Sequence, residues 1–243
     1  MGGRMPPSFY ALSPGAWRDY WTLLHPPYTL WHLSYVVLGA AAAPVLNLEV
    51  LGYALGAFFL AVGIAAHALD ELQGRPLRTS IPSIALKALA MASALGALGI
   101  GIYGMANISF WLLPFMAVGI FILFAYNLEL LGGWFHSDFW FALSWGAFPF
   151  AATYWASDTS FNTGAGLLTS ACFGLSLVQR KLSTPVRRVR RRAVRVRGAI
   201  DYDDGTREAI DAEDIVRAPE AALRVLTACV VLLATGWLAT RLT

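Results

Sequence analysis

Charge is what this sequence has little of. Only 14% of its 243 residues are charged and 57% are hydrophobic, where a soluble domain carries about 25% and about 45–50%. A chain so poor in charge cannot cover a globular surface with groups that water solvates well, so an ordinary soluble enzyme and a disordered protein are both excluded. Cysteine is nearly absent too. Cys172 and Cys229 stand far apart in apolar runs, which excludes a disulfide scaffold or a cysteine metal cluster. Nor does the N-terminus carry a basic region leading into an apolar core, and no cleavable signal is expected there. With a mean hydropathy of +0.56, the composition is that of an integral membrane protein.

Seven apolar stretches are present, each near the ~20 residues that span a bilayer as a helix. They run Tyr28–Leu46, Leu48–Leu69, Pro82–Tyr103, Ile108–Leu128, Phe139–Ala156, Gly164–Leu182 and Pro219–Leu242. Glycine and alanine recur within them, which suits closely packed membrane helices. The expected fold is therefore all-α, a polytopic transmembrane bundle of about seven spans with a small cytoplasmic segment before the last. Residues 1–27 read as an N-terminal interfacial segment. Its helix is expected to start at Ser13-Pro14 and to place Trp17, Tyr20 and Trp21 on one face. Residues 28–182 form the six-span body, 183–218 a basic and acidic cytoplasmic loop, and 219–243 the last span. Within the loop, Asp204-Gly205 is a hairpin turn signal between Val194–Tyr202 and Thr206–Ile210.

Orientation follows from lysine and arginine in the loops. Twelve of the eighteen bases lie between Arg180 and Arg224. With the N-terminus in the cytoplasm they all face that side, together with Arg4, Arg18, Arg75 and Arg78, and only Arg241 falls outside. A cell-membrane protein with a cytoplasmic N-terminus and an external C-terminus is expected. The arginine run is expected to meet anionic lipid head groups. It has no interleaved aromatics for stacking on bases, so no nucleic-acid partner is expected.

Ionisable groups at span ends are site candidates by default, because they are expensive in lipid. Eight of the fifteen acids lie between Asp201 and Glu220. Of the other seven, Asp70, Glu71, Glu129 and Asp138 all fall at cytoplasmic span ends. His67, Asp70 and Glu71 share one helix face by their spacing. Acids so placed can hold Mg²⁺, a hard ion that bridges to substrate phosphates. Arg75 and Arg78 follow within reach of the same diphosphate, which guanidinium groups grip in a fork. Tyr126, Asn127 and Glu129 close the fourth span, and His136 and Asp138 open the fifth. Arg180 and Lys181 sit next to the membrane, where they could contact a lipid diphosphate. The plainer reading of every one of these groups is a helix cap or a topology anchor.

Several of these motifs resemble the UbiA superfamily of intramembrane prenyltransferases. His25-Pro26-Pro27 with Leu38-Gly39-Ala40 is similar to the family's first span. His67–Pro82 resembles its first aspartate-rich loop, closed by Arg75-Pro76-Leu77. Tyr126-Asn127 and Trp145-Gly146-Ala147-Phe148-Pro149 resemble the fourth and fifth spans. Together these cover about the first two thirds of the chain. The resemblance implies a cytoplasm-facing cavity in which Mg²⁺ binds a prenyl diphosphate and the prenyl cation passes to an acceptor. Asp70 and Glu71 would then hold the metal, with Glu129, Asp138 or His136 orienting or deprotonating the acceptor. Trp134, Phe135, Trp140 and Trp145 would line the prenyl channel. The chain departs from the family pattern in having His67 where an aspartate is expected and no acid between Gln179 and Arg192. Two other readings fit the same residues. One is a membrane terpene cyclase with a carboxylic general acid; the other is a non-catalytic lipid-binding scaffold.

Overall fold

The computed structural model describes residues 5–243, and among these the fold is nearly all-α. A short helix, α1 (Ala16–Leu23), leads into α2 (Pro26–Ala42), α3 (Leu48–Leu72), α4 (Ser83–Asn107) and α5 (Phe110–Asn127). Next come α6 (138–158) and α7 (Thr163–Arg192), then strands β1 (Gly198–Asp201) and β2 (Arg207–Ile210), and last α8 (Ala212–Leu242). Helices α3, α4, α5 and α8 are each long and apolar enough to cross a membrane. Their outward faces carry large apolar side chains such as Met91, Leu95, Val118, Phe121 and Leu232. Water would reject that surface and acyl chains would accept it.

Successive helices run in opposite directions. One end of the bundle therefore gathers the starts of α2, α4, α6 and α8 with the ends of α3, α5 and α7. Two clusters of buried side chains hold the body together. One joins α3 to α6 through Leu69, Leu86, Leu123, Tyr126 and Trp145. The other joins α2, α6, α7 and α8 through Trp31, Tyr35, Phe150, Tyr154, Cys172 and Val230. Cys172 is thus a core thiol and Cys229 is exposed.

Glycine sets the tightest of these contacts. A methyl group built on Gly146 would stand 2.5 Å from the Ser176 hydroxyl and 2.6 Å from the Cys172 carbonyl, because α6 and α7 touch backbone to backbone there. Gly146→Ala is expected to destabilise the protein by about 1–3 kcal/mol, read as a fall in the thermal midpoint of the detergent-solubilised protein. An unchanged midpoint would show that the two helices can part freely.

Three boundaries differ from the sequence expectation. The N-terminal helix starts at Ala16, not at Ser13-Pro14, and no side chain caps it. Instead Asp19 accepts the Gly15 N–H at 3.1 Å and the Ser80 N–H at 3.0 Å, and also binds the Ser80 hydroxyl. Partial burial alone would raise the Asp19 pKa, but these three hydrogen bonds outweigh it and hold the carboxyl below its usual range. Asp19 thereby pins α1 to the loop before α4. Secondly, α7 does not stop near Leu182 but runs through Pro185 to Arg192. Proline removes one helical hydrogen bond; the buried pairing of Arg190 with Glu220 of α8 anchors the continuation. Thirdly, α8 begins before Pro219. Asp211 accepts the N–H groups of Glu213 and Asp214 at 2.8 and 3.2 Å, and Asp214 returns a bond to the Asp211 N–H at 2.9 Å. That reciprocal cap starts the helix at Ala212. What lies between α7 and α8 is mainly the β1–β2 hairpin, antiparallel with Gly198 opposite Ile210, and Gly205 takes the positive φ its turn requires.

Candidate functional site

At the end of the bundle where the polar groups gather lies a cavity of about 370 Å³, which the chain segment around Pro7–Tyr10 covers in part. That volume is in the range of small-molecule sites. All four histidines of the protein line it: His25, His32, His67 and His136. So do Asp70 from α3, Glu129 after α5, and five arginines of α7.

The histidines are held in defined tautomers. The Nδ1–H of His32 donates to the Trp145 carbonyl at 2.7 Å, that of His67 to the Gly63 carbonyl at 3.0 Å, and that of His136 to the Tyr126 carbonyl at 3.2 Å. A carbonyl can only accept, so in each neutral ring Nδ1 bears the proton and Nε2 keeps its lone pair. Gly63 and Trp145 lie in π-helical stretches, Phe59–Ala66 of α3 and Leu143–Ala147 of α6. Widened turns of this kind recur at functional sites.

His25 is set differently. It precedes α2 in a left-handed conformation with φ 48°, its Nδ1 is 2.8 Å from the Tyr10 hydroxyl, and its ring stacks on His67 at 4.1 Å between centroids. Its Nε2 is buried without a partner. Burial, with His67, Arg191 and Arg187 nearby, holds its pKa well below the ordinary histidine value. Burial likewise pushes the Tyr10 hydroxyl up to about 12.

The opposite wall belongs to α7. Arg180, Thr184, Arg187 and Arg191 follow at intervals of four, three and four, so they share one face of the helix, and all four line the cavity. Arg180 donates to Asp138 at 3.1 Å and lies 5.4 Å from the centre of the Phe141 ring. Arg187 is half-buried, and desolvation together with Arg180 and Arg191 lowers its pKa. Five arginines against two carboxylates leave the lining with a charge of +3 while its histidines are neutral.

Of the residues proposed from sequence, His67, Asp70, Tyr126, Asn127, Glu129, His136 and Arg180 meet at this cavity. Five others are placed elsewhere. Glu71 is fully buried: its Oε2 accepts the Leu77 N–H at 2.9 Å, and its Oε1 accepts the Thr79 N–H and hydroxyl at 2.9 and 2.8 Å. It shapes the loop after α3 and faces no cavity. Arg75 donates to the Ile81 carbonyl at 2.6 Å and the Ser83 hydroxyl at 2.7 Å, so it braces the start of α4. Arg78 reaches the last carbonyls of α7, Arg190 at 3.3 Å and Arg191 at 3.1 Å, and also the Met5 carbonyl. Asp138 and Lys181 pair at 2.7 Å away from the lining. The hydrogen bond from Lys181, with that from Arg180, keeps the Asp138 carboxyl below its usual range. Among the aromatics, Trp145 lines the cavity, whereas Trp134, Phe135 and Trp140 cluster on one another to one side.

His25, His32, Tyr28, Gln179, Arg187 and Arg191 also line the cavity, though none of them is among the site residues expected from sequence. The spacing of His25, Tyr28 and His32, three and then four apart, would have placed them on one helix face. The donor set also bears on Mg²⁺. With Glu71 consumed by the loop and Asp138 by two cations, Asp70 is the carboxylate left near His67. No group of three or more His, Cys, Asp or Glu side chains that could hold a metal ion occurs among the described residues. The expected trio of His67, Asp70 and Glu71 does not come together, because Glu71 is turned into the loop.

Compared with protein-family models, with curated proteins and with solved structures, the chain matches none of them.

Proposed function

We propose that this protein is an integral membrane transferase of UbiA type that moves a prenyl group from a prenyl diphosphate to an acceptor. One observation carries the reading: a single cavity joins four histidines, two carboxylates and the arginine face of α7 at one end of an apolar bundle. Counting the flanking helices α2, α6 and α7 as spans gives a seven-span body, and the charge asymmetry supports a cytoplasmic cavity end with the C-terminus outside.

Transfer breaks the bond between the first prenyl carbon and the diphosphate oxygen, and the electron pair leaves with the diphosphate. The arginines neutralise that developing charge in a site partly shielded from water. Phe141, Tyr126 and Trp145 line the cavity, and aromatic rings there can stabilise the allylic cation. The acceptor's electron pair forms the new bond to the prenyl carbon, and its proton passes to Asp70, or to Glu129, which stands beside His136.

The test is a turnover assay with detergent-solubilised full-length protein, labelled prenyl diphosphates of several lengths, and a membrane lipid extract as acceptor source. Labelled product is expected, falling about 100-fold or more in Asp70→Asn or Glu129→Gln while the thermal midpoint holds. Full activity in both variants, or no product with the wild type, would overturn the reading.

A further inference from the structure

The cavity lining carries five arginines against two carboxylates. Every buried polar group on its inner wall that lacks a partner can be a donor. His25 Nε2 is one: it is buried without a partner, and it bears a proton in the tautomer in which the Tyr10 hydroxyl donates to Nδ1. Gln179 is another. It is 2% exposed, and its amide oxygen is buried without a partner. A half-turn of the amide exchanges oxygen for NH₂, which offers two more donors. Beside them lie Arg180, Arg187 and Arg191 on one face of α7. Arg180 gives its Nε–H to Asp138, and burial, then the charges of Arg180 and Arg191, lowers the Arg187 pKa, a cost that an anion between these guanidinium groups would relieve. Of the two acids expected to hold a divalent cation, Glu71 is committed to Leu77 and Thr79, which leaves Asp70 alone of that pair on the cavity wall.

We infer that Arg180, Arg187 and Arg191 grip the phosphate groups of the ligand directly, without a divalent cation, and that Gln179 and His25 complete the donor set. This rests on the diphosphate reading above and specifies how the ligand is held. The chemistry recognised is a di- or monophosphate, whether on a lipid or free. Guanidinium forks suit its geometry, and their fixed charge does not depend on metal supply.

The experiment is calorimetric titration of the solubilised full-length protein with a prenyl diphosphate and, separately, with inorganic pyrophosphate, each in excess EDTA and in excess Mg²⁺. The prenyl diphosphate is expected to bind equally well in EDTA and in Mg²⁺. Arg187→Gln and Arg191→Gln should each weaken it about 10- to 100-fold, and Arg187→Lys should restore part of the loss. Arg197→Gln, which removes the same charge from the exposed loop beyond α7, should change nothing. Because Arg191 also touches the Pro7 carbonyl, the Arg187 series decides if Arg191→Gln unfolds. Binding that appears only with Mg²⁺ overturns the inference and leaves the diphosphate reading standing. Pyrophosphate bound as tightly as its prenyl ester supports the arginine grip and sinks the lipid substrate. Binding of neither ligand under either condition overturns both.

Discussion

Glu71→Ala lowers the unfolding free energy by about 3–5 kcal/mol, whereas Asp70→Asn next to it leaves stability within about 0.5 kcal/mol. The Glu71 carboxylate accepts two backbone N–H groups and one hydroxyl from Leu77 and Thr79, and both of those residues are buried. Removing it strands those donors away from water, at about 1–3 kcal/mol each. The loop from Gln73 to Ser80 would then lose the group that folds it back against α3. Glu71→Gln falls between, since an amide keeps one acceptor but turns a donor toward a donor. Asp70 shares no such network, and its loss should register in turnover instead. Thermal or urea unfolding of the three variants, followed by tryptophan fluorescence, separates the neighbours. A Glu71→Ala protein as stable as wild type would mean that the loop finds other acceptors.

The second large effect is expected where α7 meets α8. Arg190 and Glu220 are both buried and joined by two hydrogen bonds, one of them 2.8 Å between Nη2 and Oε2. The hydrogen bonds that Arg190 donates to Glu220 raise the Arg190 pKa further, so the arginine cannot relieve its burial by losing a proton. Glu220→Ala should therefore cost about 3–5 kcal/mol, because a permanent cation is left without its counterion. The double variant Arg190→Met, Glu220→Leu removes both charges together and should recover most of that stability. Arg187 and Arg191 flank Arg190 on the same turns, so Glu220→Ala should also weaken pyrophosphate binding, and the double variant should restore it. If the single and double variants melt alike, the pair is not what fixes the end of α7.

Much of the architecture was legible in the sequence. The apolar stretches, the one-sided placement of charge and the Asp204-Gly205 hairpin all reflect local composition or turn chemistry. The site was legible only in part, and Asp70 and Glu71 show why. Adjacent carboxylates look alike in a sequence, yet a shift of about 100° around the helix sends one to a cavity and the other to a loop. Arg187 and Arg191 were hidden by the bilayer frame itself. A span measured at about 20 residues ends near Leu182, which turns the arginines beyond into a loop. In the folded chain a buried ion pair carries α7 ten residues further and makes one of its faces a wall. His25 stands in the sequence as part of the His25-Pro26-Pro27 motif and His32 as one polar residue in an apolar run, so neither points to a cavity by itself.

Arg241, the base that seemed to lie on the wrong side, closes the fold. Its guanidinium donates to the carbonyls of Ala41, Ala43 and Pro44 at 2.7, 2.9 and 3.0 Å, where α2 ends. The first long helix is thus completed by a residue about 200 positions later in the chain. Until α8 docks, α2 keeps the face that meets α8 uncovered and its last carbonyls uncapped. Contacts of such sequence separation form slowly, so this joint is expected to close after the local helix pairs have formed.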